Sequence, residues 1–252
     1  MDRVTRNLRR FFVEQLPAEA GAEVQLSRDE AHHALNVLRL AAGQEVELFD
    51  GRGGAAAGRI GSAGRGEVCV AIEQAMPRRS RQGAVVHLGF AVPKGRRLDW
   101  LLEKATELGA ASLQPVLFER SVAGQGQLSE GKRRRWAGHC VAAAKQCGLD
   151  WLPQLHEPAT LAELLDRWRA ELKIVGEAGE GSSSIAGALA GRHKDQAVGL
   201  LIGPEGGLTE SEDAAVREGG FVSVRLGATT LRIETAAVAM LAATVALCAP
   251  NA

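Results

Sequence analysis

From residue 85 to the end of the chain, short apolar segments alternate with segments that carry apolar residues at helical spacing. Strands are predicted at 85–92, 113–118, 172–175, 197–202 and 221–226, and helices at 98–108, 132–147, 161–168, 209–218 and 232–248. The first strand is apolar almost throughout, as in a strand that is covered on both faces. This order predicts an α/β domain built on a mainly parallel sheet.

The first eighty residues follow a different pattern of short alternating segments and glycine-rich turns. Strands are predicted at 10–13, 45–49 and 68–72, and a helix at 30–40. Short strands with such turns are typical of a small β-barrel. Because the stretch 76–83 is polar and rich in turn residues, we predict two domains, 1–77 and 78–252.

The charges are unevenly distributed although the 252-residue chain has 30 basic and 30 acidic residues. Between residues 81 and 150 there are eleven basic residues against six acidic ones, and between 151 and 252 eight against thirteen. Basic residues also form four runs, at 3–10, 78–81, 94–97 and 132–135. One such run is usually a solvated face, but four together favour an extended polyanion such as RNA as a partner.

The cysteine pattern argues against a metal or disulfide scaffold. The four cysteines form no Cys-x-x-Cys pair, and no histidine stands at zinc-ligand spacing from them. No signal peptide is visible, and the longest apolar run, 236–248, is shorter than the roughly 20 residues that cross a bilayer. We therefore expect a cytoplasmic protein without a structural metal.

A glycine-rich loop follows the predicted strand 197–202. It consists of Gly203, Pro204, Glu205, Gly206 and Gly207, and the next helix opens with Thr209 and Glu212 spaced as a capping box. Glycines let a ligand approach the backbone, and a helix N-terminus offers free N–H groups. Ligands of open α/β sheets bind beyond the carboxyl ends of strands, so this loop predicts a binding site rather than an ordinary turn.

A second loop, 226–231, follows the strand 221–226 and precedes the last helix. Arg232 and Glu234 stand at the start of that helix. A glutamate there is compatible with capping, whereas an arginine opposes the helix dipole and needs another reason. The last helix is apolar nearly all round, which predicts burial in the core or in a subunit interface.

The stretch 51–56 matches a glycine-rich dinucleotide fingerprint, but a helix should then follow directly. Residues 57–61 contain two further glycines and no amphipathic face, so we interpret the region as a hairpin loop.

In these motifs the chain resembles the bacterial 16S rRNA uridine-N3 methyltransferase family, within the SPOUT class of knotted methyltransferases. The matching segments are 10–13, 32–39, 49–51, 94–95, 104–109, 119–121, 203–207 and 231–236. The resemblance implies a PUA-like N-terminal β-barrel that binds RNA and a SPOUT α/β domain with a C-terminal trefoil knot. It also implies S-adenosyl-L-methionine as cofactor and a homodimer formed through the knot domain and the C-terminal helix.

The resemblance also implies the site residues. The cofactor would be held by Glu177, Leu201, Ile202, Gly203, Pro204, Glu205, Gly206, Gly207, Leu226, Gly227, Thr230 and Leu231. RNA contacts are predicted for Arg9, Arg10, Arg39, Lys94, Arg96 and Arg120. Arg232 would stabilise charge on the uracil oxygens or grip the phosphate, and Glu234 would accept a proton or orient Arg232. The alternative, that both only shape the knot, stays open.

Three positions depart from the family pattern. Leu149, Trp151 and Thr229 stand where the family frequently has arginine. Neither leucine nor tryptophan can replace a bidentate guanidinium contact to phosphate. A methyltransferase acting on another rRNA or tRNA site, and a non-catalytic RNA-binding ribosome-assembly factor, therefore remain alternatives.

Overall fold

The computed structural model describes residues 8–81, 83–121, 129–177, 182–193 and 196–249. The chain divides into two compact units. Unit 1 comprises Met1–Arg81 together with Ala144–Leu152, and unit 2 comprises Gln82–Ala143 and Pro153–Ala252. The predicted division into 1–77 and 78–252 did not include the second stretch of unit 1. Arg3 and Arg6, part of the first basic run, lie outside the described residues.

Unit 1 contains a five-stranded sheet in the order β1-β3-β4-β5-β2. The strands are β1 (Arg9–Phe12), β2 (Glu23–Gln25), β3 (Glu45–Phe49), β4 (Ala55–Gly64) and β5 (Glu67–Ala75). β1 pairs with β3 in parallel, and the other pairs are antiparallel. In the region of the predicted helix 30–40, the structure has α1 (Arg28–His32), which continues as one π-helical segment, His33–Val37. The helical stretch therefore begins and ends earlier in the sequence than predicted.

The hairpin-loop interpretation of the glycine-rich stretch 51–56 is confirmed in its main point, because the short loop 50–54 joins the antiparallel strands β3 and β4. Residues 55–61 already belong to β4. A side chain at Gly58 would come within 2.7 Å of the carbonyl oxygen of Ala71 on β5, so glycine here permits close approach of the backbones. The pairing of the two strands also shifts register there, as at a β-bulge.

Arg10 fixes the second stretch of unit 1 to its sheet. Its Nε donates to Glu47 at 2.7 Å and its Nη2 to Asp150 at 2.6 Å. Its Nη1 donates to the carbonyl oxygens of Ala144 and Leu149, at 2.9 and 3.0 Å. The Arg10 side chain is only 9% exposed, so its guanidinium serves the protein's own backbone and carboxylates.

The two departures from the family pattern in unit 1 also serve packing. Leu149 lies against the apolar cluster that contains Phe49. The indole N–H of Trp151 donates to the carbonyl oxygen of Arg79 at 3.1 Å. A Cβ on Gly53 would come within 2.7 Å of the Trp151 ring, so the glycine makes room for the indole. Both side chains are partly buried and therefore contribute to packing within unit 1.

Unit 2 is built on a parallel sheet in the order β12-β10-β11-β6-β7-β8, with β9 also paired to β7. Its strands are β6 (Val86–Ala91), β7 (Ser112–Leu117), β8 (Gln154–Leu155), β9 (Ala159–Thr160), β10 (Leu172–Gly176), β11 (Val198–Ile202) and β12 (Phe221–Val224). All strand pairings in this sheet are parallel, which confirms the predicted α/β architecture. β11 is buried along its whole length, as its unbroken apolar sequence predicts.

Six further helices accompany this sheet in the described residues. They are α2 (Arg96–Glu107), α3 (Glu130–Cys147), α4 (Leu161–Arg167), α5 (Ile185–Leu189), α6 (Glu210–Glu218) and α7 (Ile233–Leu247). The predicted C-cap at Gly109 is confirmed, since its φ is +77° and its N–H donates to Thr106. One face of α7 is buried, including Ala237, Met240 and Leu241. No helix in the described ranges has the length and apolar character needed to span a membrane.

β12 has a backbone neighbour on each of its two sides. β12 pairs with β10 on one side, and on its other side Ser183 bridges to Val224. The chain passes from β10 to Ser183 through residues 178–181, which lie outside the described residues. Since β12 lies between two stretches joined by that connection, this arrangement is the one expected for the predicted trefoil knot.

Candidate functional site

Three neighbouring strands of unit 2 end at one edge of the sheet. β12, β10 and β11 are adjacent and parallel, so the loops that follow them meet at their carboxyl ends. These loops line a cavity of about 440 Å³. The cavity is therefore a direct consequence of strand order, and both predicted glycine loops contribute to it.

Most predicted cofactor residues come together in this cavity. Those that line it are Glu177, Ile202, Gly203, Pro204, Glu205, Gly207, Leu226, Gly227, Thr230 and Leu231. Leu201 does not line it, because its side chain is fully buried in β11. Gly206 does not line it either, and its carbonyl oxygen accepts a hydrogen bond from Arg120.

Several lining residues were missed by the sequence analysis. They include Thr209, Glu210 and Asp213 at the start of α6, and Arg225 at the end of β12. The residues at the start of α6 could have been predicted from their position, because α6 begins directly after the first glycine loop. Thr229, where the family frequently has arginine, also lines the cavity.

The first glycine loop is a tight turn with external support. The N–H of Gly207 donates to the carbonyl oxygen of Pro204 at 2.9 Å, and Gly207 has φ +72°. Arg120 donates through Nη1 to the carbonyl oxygens of Gly206 and Leu208, at 2.9 and 3.2 Å. Arg120, predicted as an RNA contact, thus holds the shape of this loop.

The predicted capping box at the start of α6 is confirmed. The hydroxyl of Thr209 accepts from the N–H of Glu212, and the carboxylate of Glu212 accepts from the N–H of Thr209. The other carboxylate oxygen of Glu212 accepts from the N–H of Glu119 at 2.7 Å. These bonds fix the direction in which the loop enters the helix.

The second loop is held by the ends of its neighbouring strands. The N–H of Glu177, just beyond β10, donates to the carbonyl oxygen of Val224 at 3.0 Å. Arg225 donates through Nε to Gly227 at 2.8 Å and through Nη2 to Ala228 at 3.4 Å. Arg225 therefore stabilises the loop while its side chain borders the cavity.

Arg232 and Glu234 flank the cavity without lining it. Arg232 is the exposed N-cap residue of α7, and its side chain makes no capping hydrogen bond. Glu234 is 6% exposed in the first turn of α7. Its Oε1 lies 3.8 Å from Nη1 of Arg97, and its Oε2 has no hydrogen-bond partner among the described residues.

The remaining predicted RNA contacts are on the surface. Arg9, Arg39, Lys94 and Arg96 are exposed. Arg39 also has φ +54°, an unusual backbone conformation for a residue with a side chain.

Metal and thiol chemistry find little support in the described part of the chain. No group of three or more His, Cys, Asp or Glu side chains there could hold a metal ion. Burial raises the pKa of the Cys140 thiol to about 11. A protonated, buried thiol is a poor nucleophile.

Comparison with known families matches nearly the whole chain. The RNA methyltransferase domain family matches residues 80–245, and the RNA methyltransferase PUA domain family matches residues 26–73. The chain is 34% identical over 243 residues to the ribosomal RNA small subunit methyltransferase E of Mycobacterium bovis, covering 92% of this chain and 89% of the relative.

Two solved structures share the fold over almost their full length. One is the ribosomal RNA small subunit methyltransferase E of Neisseria gonorrhoeae bound to S-adenosyl methionine, with TM-score 0.84 and 30% identity, covering 96% of this chain and 98% of that one. The other is a methyltransferase of Legionella pneumophila in complex with bound SAM, with TM-score 0.84, 27% identity and the same coverage. With the sheet order, these matches confirm the predicted fold class, a PUA-like domain and a SPOUT α/β domain.

Proposed function

Because the chain belongs to the ribosomal RNA small subunit methyltransferase E family, we propose that it methylates N3 of a specific uridine in 16S rRNA, using S-adenosyl-L-methionine. The observation that carries this proposal is the cavity at the ends of β10, β11 and β12. Relatives with the same fold bind S-adenosyl methionine. The target would be unpaired or flipped out, because N3 lies on the pairing edge of the base.

The chemistry of the cavity fits this donor. Its lining includes four carboxylate side chains and one guanidinium: Glu177, Glu205, Glu210, Asp213 and Arg225. This excess of negative charge favours a cationic ligand, such as a sulfonium with an ammonium group, over a nucleotide with several phosphates. Apolar residues such as Ile202, Leu226 and Leu231 give the walls needed for an adenine ring.

S-adenosyl-L-methionine would supply, when bound, a methyl group already activated on a positively charged sulfur. The residues of this chain would then hold the target nitrogen in line with that methyl group. Uracil N3 carries a proton, so the reaction needs an acceptor for it or a group that stabilises the uracil anion. We assign proton acceptance to Glu234, whose Oε2 is buried without a partner among the described residues.

We assign to Arg232 the stabilisation of negative charge on the uracil oxygens or the grip on its phosphate. Its exposed side chain makes no capping bond to α7, which supports a role toward a ligand. The structural alternative, that Arg232 and Glu234 only shape the knot, predicts a different kinetic result. Arg232→Ala and Glu234→Gln should lower kcat and leave donor affinity nearly unchanged in our proposal, but should weaken donor binding in the alternative.

RNA contacts are proposed for the exposed residues Arg9, Arg39, Lys94 and Arg96. Arg10 is a weaker candidate because its guanidinium already has four acceptors within unit 1. Contacts to phosphate would make binding strongly salt-dependent.

A homodimer is proposed through unit 2. The support is the apolar surface of α7, where Leu247 is 55% exposed, and the exposed Trp100 on α2. Light scattering after size exclusion would measure this directly, with a monomer mass contradicting it. Because the proposed substrate is ribosomal RNA, we also propose a cytoplasmic location.

The function is tested in two steps. Calorimetric titration of S-adenosyl-L-methionine into the full chain should give a saturable heat, which a non-catalytic assembly factor without a donor site would not show. The enzyme should then methylate small ribosomal subunits from a strain lacking the gene, and mass mapping should locate the methyl group on N3 of one uridine of 16S rRNA. Modification of tRNA or of another rRNA site would contradict the assigned substrate.

A further inference from the structure

Arg97 occupies an unfavourable position in unit 2. It lies in the first turn of α2, whose N-cap is Gly95 and has no side-chain cap. A positive charge in the first turn of a helix opposes the helix dipole. The charge of Arg97 therefore needs compensation from groups outside α2.

Two carboxylates provide that compensation. Nη1 of Arg97 lies 3.1 Å from Oε1 of Glu205 and 3.8 Å from Oε1 of Glu234. Glu205 belongs to the loop after β11, and Glu234 follows the loop after β12. A single guanidinium thus connects the loop after β11 with the first turn of α7, although Arg97 does not line the cavity itself.

The contact leaves the two oxygens of Glu234 in different environments. Oε1 faces Arg97, whereas Oε2 is buried and has no hydrogen-bond partner within the described residues. A buried carboxylate oxygen without a donor is costly and rare. Ile233 and Ala236, on either side of Glu234 in sequence, line the cavity, whereas Glu234 itself does not.

We propose that Arg97 is a positioning residue for methyl transfer. It fixes the spacing of the two loops and orients Glu234 so that Oε2 remains available to a hydrogen-bond donor of the bound target. This inference rests on the proposed function, because it names the residue that prepares the acceptor of that reaction. Arg97 acts only through Glu205 and Glu234.

The test uses the full-length chain with Arg97→Met, Arg97→Lys and a matched control. The control is Arg59→Met, which also removes an arginine that bridges two glutamates, at 3.0 Å from Glu45 and 2.7 Å from Glu73 in unit 1. For each variant we would measure the unfolding midpoint, the Kd of S-adenosyl-L-methionine and both kcat and KM on small ribosomal subunits.

Arg97→Met should lower kcat by at least about tenfold, with a smaller change in donor Kd, because the acceptor is misplaced rather than removed. Arg97→Lys should be intermediate, since a lysine is a single point charge that cannot serve both carboxylates as a guanidinium does. Arg59→Met should match the wild type. If Arg97→Met lowers the unfolding midpoint, Arg97→Lys, which keeps a positive charge at this position, gives the comparison instead.

A double variant separates positioning from general damage. If Arg97 acts through Glu234, then Arg97→Met/Glu234→Gln should have a kcat within about twofold of Glu234→Gln alone. Losses that multiply would overturn the inference, as would an Arg97→Met enzyme equal to Arg59→Met. An inactive wild type that binds no donor would overturn the proposed function as well, whereas an active wild type with a normal Arg97→Met variant overturns only this inference.

Discussion

In both units an arginine connects two carboxylates, but the units differ in whether a carboxylate oxygen remains without a hydrogen-bond partner among the described residues. In unit 1 the guanidinium of Arg10 reaches two buried carboxylates, Glu47 and Asp150, and two backbone carbonyls. In unit 2 Arg97 reaches Glu205 and Glu234 but leaves Oε2 of Glu234 without a partner among the described residues. A fully satisfied buried network stabilises one structure, whereas an unsatisfied group is available to a ligand.

This difference shows that the residue type of an arginine does not by itself tell whether the side chain has a structural or a functional role. Arg10 stands in a basic run that the sequence analysis associated with RNA, yet its side chain is nearly enclosed. Arg97 also stands in a basic run, and its partners belong to the cavity loops. What separates them is the number of acceptors that the folded chain brings within hydrogen-bond distance.

The largest expected effect is on unit 1. Arg10→Met should lower the free energy of unfolding by about 3–5 kcal/mol, because it removes the guanidinium that lies 2.7 Å from Glu47 and 2.6 Å from Asp150, two buried carboxylates, whereas Arg79 lies 3.8 Å from Asp150. Chemical denaturation would measure the loss, and hydrogen exchange should show early opening of Ala144–Leu152. Arg9→Met, which removes an exposed neighbour, is the control; an equal loss in both variants would contradict the assigned role of Arg10.

A smaller effect is expected at the cavity. Gly207→Ala places a Cβ at φ +72°, which costs about 1–2 kcal/mol, so donor affinity should fall by roughly 5- to 30-fold. Gly66→Ala is a matched control, since Gly66 has φ +84° in the turn between β4 and β5 and likewise has no atom near its added Cβ. It should lower the unfolding midpoint without changing the affinity measured by calorimetry. Equal affinities for the two variants would remove the first glycine loop from the donor site.

The smallest expected effect concerns a second ion pair of unit 1. Burial raises the pKa of Glu30 above its ordinary value of 4.5, although Lys145 at 2.7 Å and the backbone N–H of Phe12 act in the opposite direction and Asp29 adds to the rise. The stability that Glu30 contributes is therefore complete below pH 4.5 and is lost as the pH rises through the raised pKa.

Glu30→Gln stays neutral and should lack this pH dependence. The free energy of unfolding of the wild type, measured relative to Glu30→Gln, should thus decline as the pH rises from 4.5. A difference that grows in favour of the wild type over that range would show that Lys145 outweighs burial.

Most of the fold could be predicted because apolar periodicity is a local property. Strands such as β3 and β11 and helices such as α2 and α7 lie where the spacing of apolar residues indicated. β4 was not predicted because its glycines are typical of loops, and the close approach of β5 explains the glycine at position 58. The membership of Ala144–Leu152 in unit 1 could not be predicted from neighbouring residues, because it depends on contacts with residues far away in sequence.

More of the cavity-lining residues were predicted in the two glycine loops than at the start of α6. The glycine-rich composition of the first loop and its place after a buried strand predicted a binding site at Gly203, Pro204 and Gly207. Glu210 and Asp213 look like ordinary first-turn acidic residues, and their proximity to a cavity follows only from the packing of α6.

The amino-acid sequence by itself determined most of the strands and helices and the two glycine loops, because these depend on residues close together in the chain. The tertiary structure alone decided which charged groups are satisfied and which are left open. Arg10, Arg97 and Glu234 acquire their roles from partners 37 to 140 positions away, and such distances are closed only when the sheet forms. Burial then makes each contact matter, since a charge removed from water must find its partner in the protein or in a ligand.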